Sequence, residues 1–320
     1  MGKKLNQILA GKPNIASLEA LEELLQYRAS DISHVATHAD AYYAPFPKKP
    51  KHRPFAKKSI TNKIRWIQQP IIPLKEIQKR IHEAILGRVC LPDNICGGVK
   101  GKSTTDNAQM HQQSSVLVAM DIQDYFPSIT RDQIYRIWRE ILGCTPEVAD
   151  ILTKLTTYKG CLPQGAPTST ALANIFLCSI DGPIRGECAR WDVSYSAWVD
   201  DLCFSGKEAR RIIPVAVAVL RRAGLKLSRR KLRVMGPRGP KRVTGIILGS
   251  KLSVPSDHIN RLRAGIHKLC TGQIPLNERQ AYLEQLEGSI AYVKSINPHR
   301  GDKLRRDLEI AKGLLPRRGL

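Results

Sequence analysis

The sequence predicts an α+β fold, and three observations predict it. The run Val116-Leu117-Val118-Ala119-Met120 is strand-like and ends on Asp121. Short apolar, β-prone stretches flank Asp200-Asp201 in Tyr195-Ser196-Ala197-Trp198-Val199-Asp200-Asp201-Leu202-Cys203-Phe204-Ser205, which reads as a hairpin with acids at its tip. Much of the remainder carries helical periodicity, and three helices are predicted from about residue 256 onward. The 320 residues suffice for two or three packed subdomains, and a hydrophobic content of 42% is that of a globular chain, not a disordered one.

Taken in order, residues 16–28 have helical spacing, with Ser17 as a cap. Pro45 to Lys58 reads as a Pro-rich basic loop, six of its fourteen residues being Lys or Arg; a solvated or phosphate-facing loop is preferred over a localisation signal. Ile60 to Ile72 alternates like a strand, and Leu74 to Leu86 reads as an amphipathic helix. After the strand at 116–121, helices are predicted near 131–142 and over 146–157. The loop Gly160-Cys161-Leu162-Pro163-Gln164-Gly165-Ala166-Pro167 then leads into one helix rich in small residues, from about 168 to 187. Beyond the acidic hairpin, Ile, Val, Ala and Leu form a helix over roughly 208–223. From Arg221 to Arg242, ten of 22 residues are Lys or Arg. Interleaved apolar residues and the turn Gly236-Pro237-Arg238-Gly239-Pro240 predict a basic hairpin there. The last three helices are joined at Gly272–Pro275 and Asn297–Pro298.

Charge narrows the partners. Lys and Arg total 51 against 28 acids, a formal net charge of +23, which favours a polyanion and first of all nucleic acid. A basic protein that binds membranes needs an amphipathic helix or lipid anchor. Met1-Gly2-Lys3-Lys4-Leu5-Asn6 lacks the Ser or Thr of a myristoylation site, and no signal-peptide core or bilayer-length apolar run is seen, so no membrane partner is expected. The eight cysteines include no Cys-x-x-Cys pair, which argues against a zinc ribbon and for buried thiols in a reducing, cytoplasmic setting.

Adjacent exposed carboxylates repel each other, and a fold gains nothing from them unless a cation lies between them. Asp121 stands at a strand end like the dyad. Three carboxylates so presented can hold two Mg²⁺ ions for phosphoryl or nucleotidyl transfer. For the dyad alone, the bland alternative is a solvated turn.

The order of four blocks resembles that of reverse transcriptases. Asp121-Ile122-Gln123-Asp124-Tyr125-Phe126 resembles the first palm motif, Leu162-Pro163-Gln164-Gly165-Ala166-Pro167-Thr168-Ser169 the loop under the incoming nucleotide, and Trp198-Val199-Asp200-Asp201 the Tyr-x-Asp-Asp hairpin. Arg65-Trp66-Ile67-Gln68-Gln69-Pro70, followed by Leu74-Lys75-Glu76-Ile77-Gln78, resembles the fingers block of the bacterial enzymes. Asn107-Ala108-Gln109-Met110-His111 and Val243-Thr244-Gly245 are similar to two short signatures of the retron subclass. The resemblance implies a right-hand polymerase: an N-terminal helical and basic extension (1–58), fingers (59–115), a palm with an antiparallel sheet (116–250, part of the fingers inserted at about 131–160) and a helical thumb and RNA-binding region (251–320). It implies an RNA-directed DNA polymerase that adds dNTPs to a primer hydroxyl. For a retron enzyme it further implies a cognate structured noncoding RNA as template, priming from a guanosine 2′-OH, RNA-linked single-stranded DNA (msDNA) as product, and an antiphage role through an accessory effector protein in the bacterial cytoplasm. Rival readings are another defence-associated or intron-derived reverse transcriptase, and a noncatalytic RNA-binding scaffold.

The same resemblance implies roles. Asp121, Asp200 and Asp201 would hold two Mg²⁺ ions, with the Ile122 carbonyl as an added ligand. One ion would activate the attacking hydroxyl and the other would bind the triphosphate. Phe126 falls at the sugar gate that blocks a ribose 2′-OH; the alternative is a core aromatic. Gln164 and Gly165 would pack near the nucleotide; the alternative is a turn before a helix. Arg65, with Lys63, would clamp the triphosphate, or be surface charge. Lys231 is a candidate general acid toward pyrophosphate, or part of a solvated face. Asn107 and His111 would contact RNA or brace the local fold, and Val243, Thr244 and Gly245 would shape the primer grip or an RNA-facing turn. The basic stretch 221–242 and the terminal helices would hold an RNA stem by its phosphates. Trp198 departs from the usual Tyr, and Thr170 from a frequent Pro.

Overall fold

The computed structural model describes residues 15–48, 55 and 64–314. They form a mixed α+β architecture in two compact units, one taking 15–48, 64–103 and 114–237, the other 55, 104–113 and 238–314.

The first unit opens with α1 (Leu18–Leu25), capped as its sequence predicts: the Ser17 hydroxyl accepts from Ala20 N–H at 3.2 Å. Gln26, at φ 59, ends it, and a separate helix α2 (Ala29–Thr37) follows. β1 (Tyr43–Lys48) and β2 (Arg65–Pro70) pair antiparallel from Tyr43↔Pro70 to Lys48↔Arg65. The expected loop from Pro45 is thus a strand as far as Lys48, and the rest of it, Phe55 excepted, lies outside the described residues. Pro45 and Pro47 are two residues apart, so both ring nitrogens face one side, which a two-stranded sheet leaves free of ladder bonds. α3 (Leu74–Ala84) buries Leu74, Ile77, Gln78 and Ile81 along one face. The short α4 (Thr104–Gln109) belongs to the second unit.

The first unit is organised around β3 (Leu117–Gln123). After it come α5 (Tyr125–Ser128) and α6 (Arg131–Arg136), which runs into a π-helical segment, Ile137–Ile141. α7 (Pro146–Thr156) matches its expected span. The single helix expected over 168–187 is two, α8 (Ser169–Ile180) and α9 (Gly182–Arg190). Pro183 forces the break: inside a continuous helix its ring would clash with the carbonyl of Ser179 and leave an unmade bond. β4 (Ser194–Trp198) and β5 (Asp201–Ser205) make the predicted hairpin, and α10 (Ile212–Arg222) follows.

β5 pairs with β3 from Leu117↔Ser205 to Asp121↔Asp201. The opposite edge of β3 takes β6 (Lys226–Leu227) and β7 (Arg233–Met235), both antiparallel. This corrects the expected basic hairpin: β7 pairs with β3, while β8 (Lys241–Val243) pairs with β9 (Ile246–Leu248). Val118, Met120, Ile122, Leu202 and Phe204 bury the sheet in the main core.

In the second unit the β8–β9 turn is Thr244-Gly245, at φ 46 and 86, the pairing of positive angles that a two-residue hairpin needs. α4 packs on this hairpin, and Thr244 Oγ1 donates to the Thr104 carbonyl at 3.3 Å. The three predicted helices follow as α11 (Ser256–Cys270), α12 (Leu276–Ile296) and α13 (Pro298–Gly313), around Leu262, Leu286, Val293, Leu304 and Leu308. Gly301 lets α13 approach α12, since a Cβ there would stand 2.3 Å from Lys294 Cα. No described helix is long and apolar enough to cross a membrane.

Candidate active site

The acidic hairpin and β3 converge as their local sequences predict. Asp201 begins β5 directly opposite Asp121, and Asp200 sits in the turn between β4 and β5. The turn is tied to β3 because Ile122 N–H donates to the Asp200 carbonyl at 2.9 Å. Asp121 is fixed from the other edge, its carbonyl accepting from Ser228 N–H at 2.8 Å. Asp121 is buried and Ile122 nearly fully so, whereas Asp201 presents an open edge to solvent.

Crowding of the acids shows in the titration of Asp200 and Asp201. Burial, and then the charges of Asp200 and Asp121, push the Asp201 carboxyl up to about 6. Burial also raises Asp200, with the Asp121 charge adding to it and the charges of Lys231 and Arg65 opposing it. The Lys231 ammonium lies 2.5 Å from Asp121 Oδ2, so this exposed side chain reaches the acidic site. Arg65, exposed on β2, is near enough to act on Asp200.

The chemistry of the donor set fits Mg²⁺: three hard carboxylate oxygen donors, of which Asp200 and Asp201 ionise less readily beside the other acids and are eased by positive charge. Among the described residues no three His, Cys, Asp or Glu side chains are already gathered as a metal cluster, and here the Lys231 ammonium provides the positive charge beside Asp121.

The loop read as the nucleotide platform is stitched to β2. Gln164 N–H donates to Gln68 Oε1 at 2.8 Å, and Gln68 N–H donates to the Gln164 carbonyl at 2.9 Å. Gly165 adopts φ 119, and a Cβ there would stand 2.6 Å from Ile67 Cγ2, so only glycine fits. The strand carrying Arg65 and the loop carrying Gln164 and Gly165 are therefore one assembly. Phe126 is half-buried, its ring 5.9 Å from that of Tyr125, whose hydroxyl donates to the Ala173 carbonyl at 2.7 Å. Lys63 lies outside the described residues.

The two short signatures meet in the second unit. Asn107 and His111 are fully buried around α4, which packs on the hairpin bearing Val243, Thr244 and Gly245. Neither amide atom of Asn107 has a hydrogen-bond partner among the described residues, and burial pushes the His111 imidazole down to about 4. Val243 is buried, and Gly245 is exposed at the turn. Sequence reasoning missed the loop 94–98, which bonds to β4; its Gly97-Gly98 pair is the signal that marks a close backbone approach.

The antiparallel sheet thus brings the three acids to one end, with Lys231 paired to Asp121 and Arg65 acting on Asp200. The reverse transcriptase (RNA-dependent DNA polymerase) family matches residues 47–251, and the chain belongs to that family. It is 27% identical to the retron Ec86 reverse transcriptase of Escherichia coli, over 75% of this chain and 74% of that one. The retron Mx65 reverse transcriptase of Myxococcus xanthus is 29% identical over 79% of this chain and 63% of its own length. The retron Mx162 reverse transcriptase of the same organism is 28% identical over 91% and 66%. The chain thus spans less than two thirds of the latter two, and the retron resemblance read from the short signatures agrees with all three.

Proposed function

We propose that the chain is a retron-type reverse transcriptase that copies a cognate structured noncoding RNA into msDNA, starting from a guanosine 2′-OH. The observation that carries the catalytic reading is the Asp121↔Asp201 register with Asp200 tied to Ile122. In this reading the first unit supplies fingers and palm, and the helices α11–α13 form a thumb in a right-hand polymerase. Asp121, Asp200, Asp201 and the Ile122 carbonyl hold two Mg²⁺ ions, which when bound supply activation of the attacking hydroxyl and neutralisation of the triphosphate.

The other steps belong to the chain itself. Arg65, fixed on β2, takes phosphate oxygens of the dNTP; Lys63 is assigned the same role from sequence alone. Gln164 and Gly165 floor the nucleotide pocket, and Phe126 excludes a 2′-OH. Lys231 exchanges Asp121 for the charge developing on pyrophosphate and holds a proton at Nζ for it. Thr244 and Gly245, at the open end of the β8–β9 turn, form an RNA-facing turn on the second unit, and the buried Asn107, His111 and Val243 brace it from beneath. The names of the relatives support reverse transcription of the retron type; the msDNA product, an accessory effector protein, an antiphage role and a cytoplasmic setting are proposed from the family resemblance alone.

Asp200→Asn tests the reading. The substitution keeps shape and removes one charge, so primer extension is expected to fall by about 10²–10³-fold, the scale of losing one electrostatic contact to the transition state, while filter binding of RNA is unchanged. Retained synthesis refutes the assignment.

A further inference from the structure

The tip of the acidic hairpin is held by a loop to which no role has been given. Ala197 N–H donates to the Asn94 carbonyl at 2.7 Å, and the Ala197 carbonyl accepts from Cys96 N–H at 2.9 Å and Gly97 N–H at 3.3 Å. A Cβ on Gly97 would stand 2.5 Å from Val199 N and 2.8 Å from the Trp198 carbonyl carbon. Only glycine permits that approach of one backbone to another.

The loop is equally fixed from behind. Asn174 Nδ2, buried on α8, donates to the Gly97 carbonyl at 2.8 Å. Gly98, at φ 71, abuts Thr170 at the start of the same helix, where a Cβ would stand 2.4 Å from Thr170 Cγ2. Asn94 Nδ2 reaches Asp181 Oδ2 at 3.2 Å, and Arg185 Nε holds the other oxygen at 2.8 Å. Meanwhile Val199 adopts φ 58, a conformation that a β-branched residue takes only where its surroundings over-determine it. Those surroundings are Gly97 on one side and the Ile122–Asp200 hydrogen bond on the other.

We propose that the loop 94–98 is the positioning element of the carboxylate site, with Gly97 as its positioning residue. It sets the height of the Trp198–Val199 peptide and so the separation of Asp200 from Asp121. Through Asn174 and Thr170 it keys that separation to α8, the helix that follows the Gln164–Gly165 loop. The inference rests on the reading of Asp121, Asp200 and Asp201 as the metal-holding acids.

The test compares Gly97→Ala, Asn174→Ala, Asp200→Asn and, as control, Gly186→Ala, whose added Cβ meets nothing within 4 Å. Melting temperature, steady-state primer extension and calorimetric titration of Mn²⁺ into the metal-free protein are measured for each. A displacement on the order of 1 Å at a reacting centre costs about 10²-fold in rate. Gly97→Ala is therefore expected to lose about 10²-fold in kcat with dNTP KM within about twofold, and to bind Mn²⁺ about tenfold more weakly. A folded Gly97→Ala protein with unchanged kcat and Mn²⁺ affinity overturns the proposal, as does a loss shared equally by kcat and KM with Mn²⁺ affinity intact. Should Gly97→Ala not fold, Asn174→Ala is judged by the same criteria. If Asp200→Asn itself extends primers normally, the catalytic reading fails; if it is inactive while the loop variants are normal, only the positioning role fails.

Discussion

Phe126 and Asp201 carry the residue-scale predictions. Phe126 follows Asp124, which is left-handed at φ 46, and Tyr125, which is anchored in the core by its hydroxyl, so the ring is presented by a rigid backbone. Opening the space with Phe126→Ala is expected to lower the preference for dNTPs over rNTPs by roughly 10–200-fold, the range one small steric difference supports. An unchanged ratio of kcat/KM values leaves it a core aromatic. Asp201 must be ionised to take a cation, and its carboxyl sits at about 6 without one. Metal and proton compete for it, so the acidic limb of the kcat/KM profile should fall near pH 6 at low Mg²⁺ and move to lower pH as Mg²⁺ is raised. A limb that ignores Mg²⁺ contradicts the assignment. The sign for stability is opposite to that of an ion-paired acid. Because the folded carboxyl binds its proton more tightly than the unfolded one, the metal-free protein loses stability as pH climbs from about 4 to about 6. Both carboxylates and their hairpin were legible in the sequence, since alternation and acid placement are local signals. Lys231 was not placed there with the same clarity, because one lysine in a run of ten basic residues gives no sign of which one turns toward Asp121.

Elements differ in how far their partners lie along the chain, and legibility follows that distance. The three closing helices match expectation because each has its own apolar stripe and local boundary signals, Asn297 capping the start of α13 by accepting from Arg300 N–H at 3.1 Å. β7 was misassigned because its partner β3 lies more than a hundred residues upstream, and no periodicity within 221–242 reports that pairing. Likewise α4 and the β8–β9 hairpin lie far apart in sequence, yet one packs on the other. His111, buried at the end of α4, makes this junction pH-sensitive. Its folded pKa of about 4 lies below the unfolded value of about 6.5. The unfolded chain therefore binds the extra proton between those values, and stability is fully present above pH 6.5 and lost as pH falls toward 4. The loss reaches about 3 kcal/mol at the lower end, from a shift of about 2.5 units at 1.36 kcal/mol each. Chemical denaturation at pH 7 and pH 4.5 should show this difference shrinking in His111→Gln; an equal pH dependence in both proteins removes His111 as its cause.

At the scale of the whole molecule, the net charge of +23 is a statement about binding that no single motif makes. Composition alone pointed to a polyanionic partner, whereas the division into two units was hidden, because residues 104–113 join the C-terminal unit although they lie between segments of the first. The acidic site and the basic excess also make separable demands. A triphosphate at Arg65 and Lys231, as proposed, would involve few phosphates, but an RNA held by the basic excess would involve many. Each neutralised phosphate releases a counterion, so the logarithm of the binding constant falls linearly with the logarithm of salt concentration. If about 6–10 phosphates are engaged, RNA affinity drops about 10³–10⁵-fold between about 50 and 200 mM salt. The dNTP KM, by contrast, should change by much less over the same range, since few contacts and bound cations set it. Asp200→Asn should leave the RNA slope untouched, because the role proposed for that carboxylate is to hold metal and not to meet RNA phosphates. Reversing two exposed charges at the end of α10, Arg221→Glu with Arg222→Glu, should flatten the slope by about one to two units while kcat on bound template holds. A slope already shallow in the unmodified protein would mean that the basic excess does not track RNA phosphates, and that recognition rests on the shape of the RNA and on contacts to its bases instead.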